Sequence, residues 1–285
     1  MSVLGGIHMT VFNAIILGLI QGVAEFLPIS SSGHLSIVQN LFGLTVSEDG
    51  HMFFEVLLHL GTLVSICLVY RQDLVDIWDG CVTMLTTKDK KLQRKGRLGA
   101  RQGLMLVIST LPLFLLLPFY DKISELHAHT VFIGVCLILT GCILLCADNF
   151  LAGRKKGKSM TVVDALIIGV CQIVATIPGL SRSATTITAA LGCGFDREYA
   201  VKYSFLMSIP AVLGANIISF VKMIGEGGVD LSCVPAYLIG TAVSMVTGVL
   251  SISLLQKIAK MGSFGSFRYY CWGAGFIAII LTAIL

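Results

Sequence analysis

Long apolar runs constrain the fold of this chain more than any other feature of its sequence. An α-helix needs about 20 mostly apolar residues to cross the hydrocarbon core of a bilayer. Six runs approach or reach that length: Met52–Tyr70, Gly103–Pro118, Thr130–Leu145, Tyr203–Val221, Val234–Leu254 and Tyr270–Leu285. Charged residues make up only 13% of the 285 residues, against about 25% in soluble domains. The runs are continuous rather than alternating, which disfavours a transmembrane β-barrel. The sequence therefore predicts an all-α polytopic membrane protein, folded as a single integral membrane domain over residues 1–285.

The basic residues between these runs predict how the chain is oriented, because cytoplasmic loops are enriched in Lys and Arg. The segment Arg71–Arg101 carries eight of these residues, and Arg154–Lys158 carries four more. The segment 225–230 has two acidic residues and no basic one, so we expect it on the outer side. Followed along the chain, this rule places both termini outside.

Two further apolar stretches, Val11–Leu44 and Val162–Leu191, are interrupted by polar residues. The loop charges require each stretch to return to the face from which it entered, so we expect two re-entrant helix–loop–helix segments that enter from opposite sides. They also resemble each other, although chance similarity between apolar sequences is the alternative. The matches are Gly18, Gln21 and Ala24 with Gly169, Gln172 and Ala175 at a spacing of 151, and then Pro28 and Ser31 with Pro178 and Ser181 at a spacing of 150. The sequence thus predicts an inverted-topology repeat over approximately residues 11–118 and 162–254, with a site where the broken helices meet.

The first interruption gathers polar groups in an apolar setting. Gln21 and Glu25 are four positions apart and would share one face of a helix. An ionisable group at membrane depth is expensive and usually functional. Pro28 ends that helix, and three serines and a glycine form a turn before His34, which we expect to reach a serine hydroxyl or Glu25. A break whose serines satisfy freed backbone groups is the alternative, but it leaves Glu25 and His34 unexplained.

The second interruption, Pro178–Thr186, has the pattern of an anion site. A Pro-Gly turn leads into Ser181, Arg182 and Ser183, which open a helix. Backbone N–H groups at a helix N-terminus attract anions, and the planar fork of an arginine suits phosphate. An Arg182 that snorkels or pairs with a carboxylate is the alternative.

The two interruptions together predict a membrane-embedded site for phosphoryl transfer or hydrolysis on a substrate with a lipid tail. A carboxylate beside a phosphate cradle usually implies a divalent cation. Glu55 and His59, four positions apart in a spanning run, either border this site or form a structural pair. We expect Arg268, near the last run, to anchor the chain at the cytoplasmic face rather than to bind phosphate.

Both interruptions resemble the undecaprenyl-pyrophosphate phosphatase family, also called the bacitracin-resistance family. Its first hallmark is (Glu/Gln)-x-x-x-Glu followed by LP-x-SS-x-GH, matched here by Gln21–Glu25 and Leu27–His34. Its second hallmark is PG-x-SRS-x-x-T, matched by Pro178–Thr186. The resemblance covers nearly the whole chain, and two long motifs together are far more specific than either alone.

This resemblance implies a multi-pass protein of the bacterial cytoplasmic (inner) membrane. Such a protein would hydrolyse undecaprenyl diphosphate to the monophosphate and inorganic phosphate, and so recycle the lipid carrier of peptidoglycan and other cell-wall polymers. The implied partners are the polyprenyl diphosphate substrate and membrane lipids, without nucleic acid. The oligomeric state stays open, with a homodimer as one option.

The resemblance also implies roles for individual residues. The divalent cation, Mg²⁺ or Ca²⁺, would lie at Gln21 and Glu25. The catalytic residues would be Glu25, Ser31, His34 and Arg182, with Ser31 and His34 as nucleophile and acid–base group. Hydroxyl groups would help to hold the diphosphate, namely those of Ser30, Ser32, Ser181, Ser183 and Thr186.

Three features depart from the family pattern. Many members have Glu where this chain has Gln21, so a metal held by two carboxylates is in doubt, and Ala184 stands where members often have Gly. The family's Arg near the C-terminus is matched only loosely by Arg268. The nucleophile stays open between Ser31 activated by His34, water activated by His34, and His34 itself. A transporter or lipid flippase is the alternative function, because inverted repeats with broken helices are a transporter architecture.

Overall fold

A computed structural model describes residues 9–42, 48–149, 153–226 and 231–284, without the side chains of residues 41–42, 48–52, 223–226 and 231. Within these ranges the chain forms twelve α-helices and no β-strand, which confirms the predicted all-α class. A 3₁₀ segment, Leu111–Phe119, directly follows α5. The helices are α1 Val11–Ala24, α2 Ser31–Phe42, α3 Glu48–Val69, α4 Arg71–Thr86, α5 Lys90–Thr110, α6 Tyr120–Glu125, α7 Thr130–Asn149, α8 Val162–Val174, α9 Arg182–Gly192, α10 Arg197–Glu226, α11 Val234–Met261 and α12 Gly265–Ile284.

Five helical segments are long and apolar enough to cross a membrane, with mean hydropathy values from 1.4 to 2.6 in their most apolar windows. A sixth span arises if α3 and α4, bent by 78° where they meet, are counted together. The five segments are Lys90–Ala128, Thr130–Asn149, Arg197–Lys222, Val234–Met261 and Gly265–Ile284. Each of the six predicted runs overlaps one of these spans, and Leu285 lies outside the described residues. The protein is therefore a multi-pass membrane protein.

Both interrupted stretches break where the sequence predicts. The first break separates α1 from α2 after Ala24, and the second separates α8 from α9 after Val174. With 14 and 13 residues, α1 and α8 are each about 20 Å long, too short for a hydrocarbon core of about 30 Å. Residues 43 and 44, at the end of the first predicted stretch, lie outside the described residues.

The two stretches share one local frame, which consists of a threonine N-cap, a short helix, a break and a second helix. Both begin after a threonine N-cap: Thr10 Oγ1 accepts a hydrogen bond from the Asn13 N–H at 3.1 Å, and Thr161 Oγ1 accepts one from the Asp164 N–H at 3.1 Å. The starts of α1 and α8 are 151 positions apart, and so are the starts of α2 and α9. The change of spacing from 151 to 150 that the sequence motifs show is therefore absent at the helix starts. By the helix starts, Ser31 corresponds to Arg182 rather than to Ser181.

Close glycine contacts show how the two predicted repeats interlock. Gly18 of α1 lies against the carbonyl of Gly240 in α11, where a Cβ atom would come within 2.4 Å of the oxygen. Its counterpart Gly169 in α8 lies against the carbonyl of Ser109 in α5, also at 2.4 Å. Each broken helix thus packs on the last long helix of the other predicted repeat. The repeat itself and the opposite entry of the two stretches stay predictions.

The first break is seated in the protein interior. Phe26 is 1% exposed, and its ring meets the edge of Phe205 in α10 at a centroid distance of 5.3 Å. Leu27 and Ile29 are buried in the same cluster. The carbonyl of Leu27 accepts a hydrogen bond from Ser183 Oγ at 3.4 Å, so the two breaks meet inside the helix bundle.

Candidate active site

A cavity of about 420 Å³ lies where the two breaks meet. Its polar lining comes from both stretches, from α3 and from Tyr120, Ser124 and His127 in and after α6, whereas the 3₁₀ segment and α10 contribute mainly apolar side chains. The polar lining includes Glu25, Ser31, His59, Gln172, Ser181 and Arg182. The apolar lining includes Leu113, Phe114, Leu117, Val212 and Ile218. The cavity therefore combines a polar end with an apolar flank inside a membrane protein.

Glu25 is the centre of the polar end. It follows α1 directly, and Gln21, one turn earlier, donates from Nε2 to Glu25 Oε2 at 3.1 Å, as the four-residue spacing predicts. Ser31 Oγ donates to the same oxygen at 2.6 Å. The Arg182 guanidinium donates to Glu25 Oε1, and His59 Nδ1 lies 3.8 Å from Oε2. A carboxylate that is only 8% exposed thus has a cation and two neutral donors around it, as a buried charge requires.

The second break positions Arg182 through a rigid turn. Gly179 has φ +90°, and a Cβ atom there would lie 2.7 Å from the carbonyl oxygen of Ile133. Thr140 of α7 holds both ends of the turn, because its hydroxyl donates to Gly179 O at 3.1 Å and accepts from the Ser181 N–H at 3.0 Å. Ser181 then caps α9 by accepting from the Ala184 N–H at 3.2 Å. The helix therefore begins with Arg182 facing the cavity.

The first break ends in a strained residue. Ser30 has φ +73°, a left-handed conformation that is uncommon outside glycine. Its hydroxyl accepts from the Gly33 N–H at 3.3 Å and lies 3.4 Å from Ser32 Oγ. Strain of this kind is often found at functional sites. Here it lies immediately before Ser31, whose hydroxyl meets Glu25.

His34 does not point to Ser31 or Glu25, so the expected serine–histidine contact was wrong. His34 Nδ1 donates to the carbonyl oxygen of Ser30 at 2.7 Å. Its Nε2 lies 2.8 Å from the Tyr270 hydroxyl, and the two rings stack at a centroid distance of 5.6 Å. Both ring nitrogens therefore bond to groups other than Ser31 and Glu25 in the ligand-free protein, and the acid–base role of His34 stays a prediction.

His59 is the histidine that lies beside Glu25. Its Nδ1 is 2.9 Å from Gln21 Nε2 and 3.8 Å from the carboxylate. Glu55, one turn earlier in α3, also lines the cavity and accepts from Gln39 Nε2 at 3.2 Å. Of the two readings that the sequence left open for Glu55 and His59, the structure favours the one that places them at the site.

Two of the predicted phosphate-binding hydroxyls lie behind the cavity rather than in its lining. Ser183 Oγ meets Ser181 Oγ at 3.1 Å and the Leu27 carbonyl. Thr186 is fully buried, and its Oγ1 bonds to Arg182 O at 2.8 Å and to Ser204 Oγ at 2.6 Å. These residues hold α9 in place, whereas Ser30, Ser32 and Ser181 do line the cavity.

Residues far along the chain complete the site without a clear sequence signal. Thr140 and Tyr270 hold the two breaks, yet each is an ordinary residue in an apolar run. Arg268 lies outside the cavity lining, 3.6 Å from Asp148 and hydrogen-bonded to the Tyr269 hydroxyl. The expectation that Arg268 does not bind phosphate is consistent with this position.

The oxygen atoms at Gln21 and Glu25 fit a hard divalent cation. Gln21 Oε1 is buried without a hydrogen-bond partner, although Gln21 lies behind the cavity lining and meets the Glu25 carboxylate through its Nε2. No group of three or more His, Cys, Asp or Glu side chains among the described residues could hold a metal. A cation here would therefore need oxygen ligands from its substrate, as is common for Mg²⁺ with phosphates.

Comparison with known proteins adds an independent observation. A family model described as bacitracin resistance protein BacA matches residues 14–277. An undecaprenyl-diphosphatase of Alkaliphilus metalliredigens is 38% identical over 281 residues, which cover 97% of this chain and 100% of that protein. Proteins of the same name from Methanosphaera stadtmanae and Carboxydothermus hydrogenoformans are 38% and 35% identical, over 96% of this chain and 99% and 98% of their own lengths.

Proposed function

Since the chain belongs to the bacitracin resistance protein BacA family, we propose that it hydrolyses undecaprenyl diphosphate to undecaprenyl monophosphate and inorganic phosphate. Similar proteins named undecaprenyl-diphosphatase span nearly the whole chain. The observation that carries the proposal is the contact of Arg182 and Ser31 with the buried Glu25 carboxylate in a cavity with an apolar flank. The alternative of a transporter or flippase is not favoured, because these relatives are named for a phosphatase and the site places a hydroxyl against a carboxylate.

The two sides of the cavity suit the two parts of such a lipid. The diphosphate would lie at the polar end, within reach of Arg182 and the hydroxyls of Ser31 and Ser181. The polyprenyl tail would leave along the apolar flank, where Phe114 and Leu117 are exposed at the protein surface. In a membrane that surface meets lipid, so the tail can stay in hydrocarbon while the headgroup enters the protein.

Ser31 and Glu25 form a nucleophile and base pair. Ser31 Oγ attacks the terminal phosphorus, its proton passes to Glu25 Oε2 at 2.6 Å, and the bond from phosphorus to the bridging oxygen breaks. Undecaprenyl monophosphate leaves, and the phosphoserine is then hydrolysed by water, which restores Ser31 and releases inorganic phosphate. Arg182 places its remaining N–H donors beside the transferred group, where negative charge must be stabilised.

Mg²⁺ or Ca²⁺ belongs to this proposal as a cofactor held by Gln21 and Glu25. When bound, the ion would neutralise charge on the diphosphate. The buried, unpartnered Gln21 Oε1 supports this placement. Removal of the ion by EDTA is expected to abolish phosphate release, and added Mg²⁺ to restore it.

The proposed location is the bacterial cytoplasmic membrane, with both termini on the outer side. The support is the basic content of Arg71–Arg101 and Arg154–Lys158, which favours the cytoplasm for both segments. Labelling of single introduced cysteines near residues 9 and 284 with a membrane-impermeant maleimide, in a variant whose native cysteines are replaced, would test this orientation.

Phosphate release from a long-chain polyprenyl diphosphate by purified protein in detergent is the decisive experiment. We expect metal-dependent release by the unaltered protein and none by Glu25→Ala, with Ser263→Ala, at an exposed residue outside the cavity lining, as a control. Absence of release from unaltered protein with a single symmetric elution peak would contradict the proposal.

A further inference from the structure

Gln172 is the counterpart of Gln21 in the second interrupted stretch, but its surroundings differ. It lies in α8, is 1% exposed and contributes to the cavity lining. Neither its Nε2 nor its Oε1 has a hydrogen-bond partner. Among the described residues, no other buried side chain of this kind has both of its amide atoms unpartnered.

The contrast with Gln21 explains why the partner is missing. Gln21 Nε2 donates to Glu25, four positions later. The residue four positions after Gln172 is Thr176, whose hydroxyl donates to the Ile173 carbonyl at 2.7 Å. The second stretch therefore offers no carboxylate to its glutamine, although it places the amide in the lining of the same cavity.

A buried amide without partners is unfavourable, because each lost hydrogen bond leaves its desolvation uncompensated. An apolar side chain of similar length would fit this position in the ligand-free protein at least as well. A glutamine is therefore best explained by a partner that enters the cavity. The groups already at the polar end, Arg182 above all, select an anion with several acceptor oxygens.

We propose that Gln172 is a binding residue for the diphosphate, with its Nε2 donating to a non-bridging phosphate oxygen. This inference rests on the proposed function and adds a contact that neither family motif contains. It assigns the two matched glutamines different tasks. Gln21 orients Glu25 from the first stretch, and Gln172 meets the substrate from the second.

The test separates affinity from folding. Gln172→Met removes the amide and keeps the length of the side chain. Gln256→Met is the matched control, since Gln256 donates to the Tyr70 hydroxyl at 2.9 Å and lies outside the active-site cavity. Each protein is measured for its ligand-free Tm, its Kd for a non-hydrolysable prenyl methylenediphosphonate, and its kcat/KM for phosphate release.

We expect Gln172→Met to keep or raise the ligand-free Tm while its Kd and KM rise about ten- to hundredfold, the loss that follows removal of a hydrogen bond to a charged group. Gln172→Glu, which sets a carboxylate against the diphosphate, should weaken binding further. If Gln172→Met fails to fold, the Kd of Gln172→Glu provides the test of the proposed contact. Gln256→Met should lower Tm and leave Kd unchanged.

The outcomes distinguish this inference from the proposed function. If unaltered protein binds the analogue and releases phosphate, and Kd stays within twofold in both Gln172 variants, the role of Gln172 is overturned and the function stands. A lowered Tm in Gln172→Met with unchanged Kd would assign the amide to a buried structural water, and also overturns it. Absence of both binding and release in the unaltered protein would overturn both proposals.

Discussion

The two interrupted stretches use the same frame to present different chemistry. Both start after a capping threonine, break after about four turns and resume at helix starts 151 positions apart. Within that frame, one stretch carries the carboxylate and the hydroxyl, and the other carries the cation. The matched positions are Gln21 with Gln172, Glu25 with Thr176, and Ser31 with Arg182. The candidate site thus arises from the differences between the two stretches, since two identical stretches would bring like groups together.

The same comparison bears on the role of His34. Its counterpart is Thr185, and both side chains bond back to the carbonyl of the residue that precedes the second helix: His34 Nδ1 to Ser30 O at 2.7 Å, and Thr185 Oγ1 to Ser181 O at 2.9 Å. The Thr185 bond is one that threonines often make inside helices, as Thr188 does with the carbonyl of Ala184 at 2.6 Å, so it does not by itself assign a role. That His34 braces the turn before Ser31, rather than acting as acid–base group, is therefore a prediction.

The largest effect is expected from breaking the contact between the two stretches. Arg182→Ala removes the only guanidinium that bonds to Glu25 among the described residues and leaves a buried carboxylate without its main counter-charge. We expect kcat/KM to fall about a thousandfold or more and the free energy of unfolding to fall by about 3–5 kcal/mol. Phosphate-release kinetics and unfolding in mixed micelles measure the two losses.

A double variant separates these losses. Glu25→Gln with Arg182→Gln removes both charges, so we expect most of the stability to return while activity stays absent. Retention of more than a tenth of the activity by folded Arg182→Ala protein would show that the second stretch does not supply the phosphate-binding cation.

The next effect concerns the hydroxyl that only the first stretch presents to Glu25. Ser31→Ala should lower kcat about a hundred- to thousandfold with little change in Tm, because the Ser31 hydroxyl bonds to Glu25 alone. Ser253→Ala is the matched control, since its hydroxyl bonds to the Val249 carbonyl at 2.9 Å and lies outside the cavity lining. A kcat within tenfold of the unaltered protein in Ser31→Ala would exclude Ser31 as nucleophile and leave an activated water in that role.

Local patterns predicted the frame and the central residues of the site. The apolar runs indicated the spans, the prolines and polar clusters indicated both breaks, and the four-residue spacing of Gln21 and Glu25 indicated their contact. Arg182 at a helix start does line the cavity, where it pairs with the Glu25 carboxylate, the alternative that the sequence left open, and phosphate binding stays a prediction. These features depend on a few neighbouring residues, so a single sequence carries them.

Contacts between distant segments could not be predicted in the same way. His34 turns toward Tyr270, and Thr186 turns toward Ser204, because the packing of other helices places those hydroxyls nearby. Thr140 clamps the second break from α7 with no motif to mark it. Matching the two motifs by sequence at a spacing of 150 also gave a wrong correspondence. It paired Ser31 with Ser181, whereas the helix starts pair Ser31 with Arg182.

A smaller effect is expected at the matched pair His34 and Thr185. If His34 braces the turn, His34→Ala should lower Tm and reduce kcat/KM by less than tenfold. His34→Thr, which introduces the residue found at the matched position, should recover part of the lost Tm. Loss of activity beyond a hundredfold in His34→Ala at unchanged Tm would instead return His34 to the acid–base role.

The smallest effect distinguishes the backbones that precede the two second helices. Ser30 and Ser181 both cap a helix, but Ser30 has φ +73° whereas Ser181 has φ −75°. Replacing a capping serine by Ala costs about 1 kcal/mol, and replacing it by Gly only a few tenths. At position 30 the left-handed backbone costs Ser and Ala alike roughly 1 kcal/mol, and Gly, which has no Cβ, relieves that cost. The difference in unfolding free energy between the Ala and Gly variants should therefore be about 1 kcal/mol larger at position 30 than at position 181. Equal differences at the two positions would mean that the first break is not strained, and that the frame of the two stretches is more alike than their backbone angles indicate.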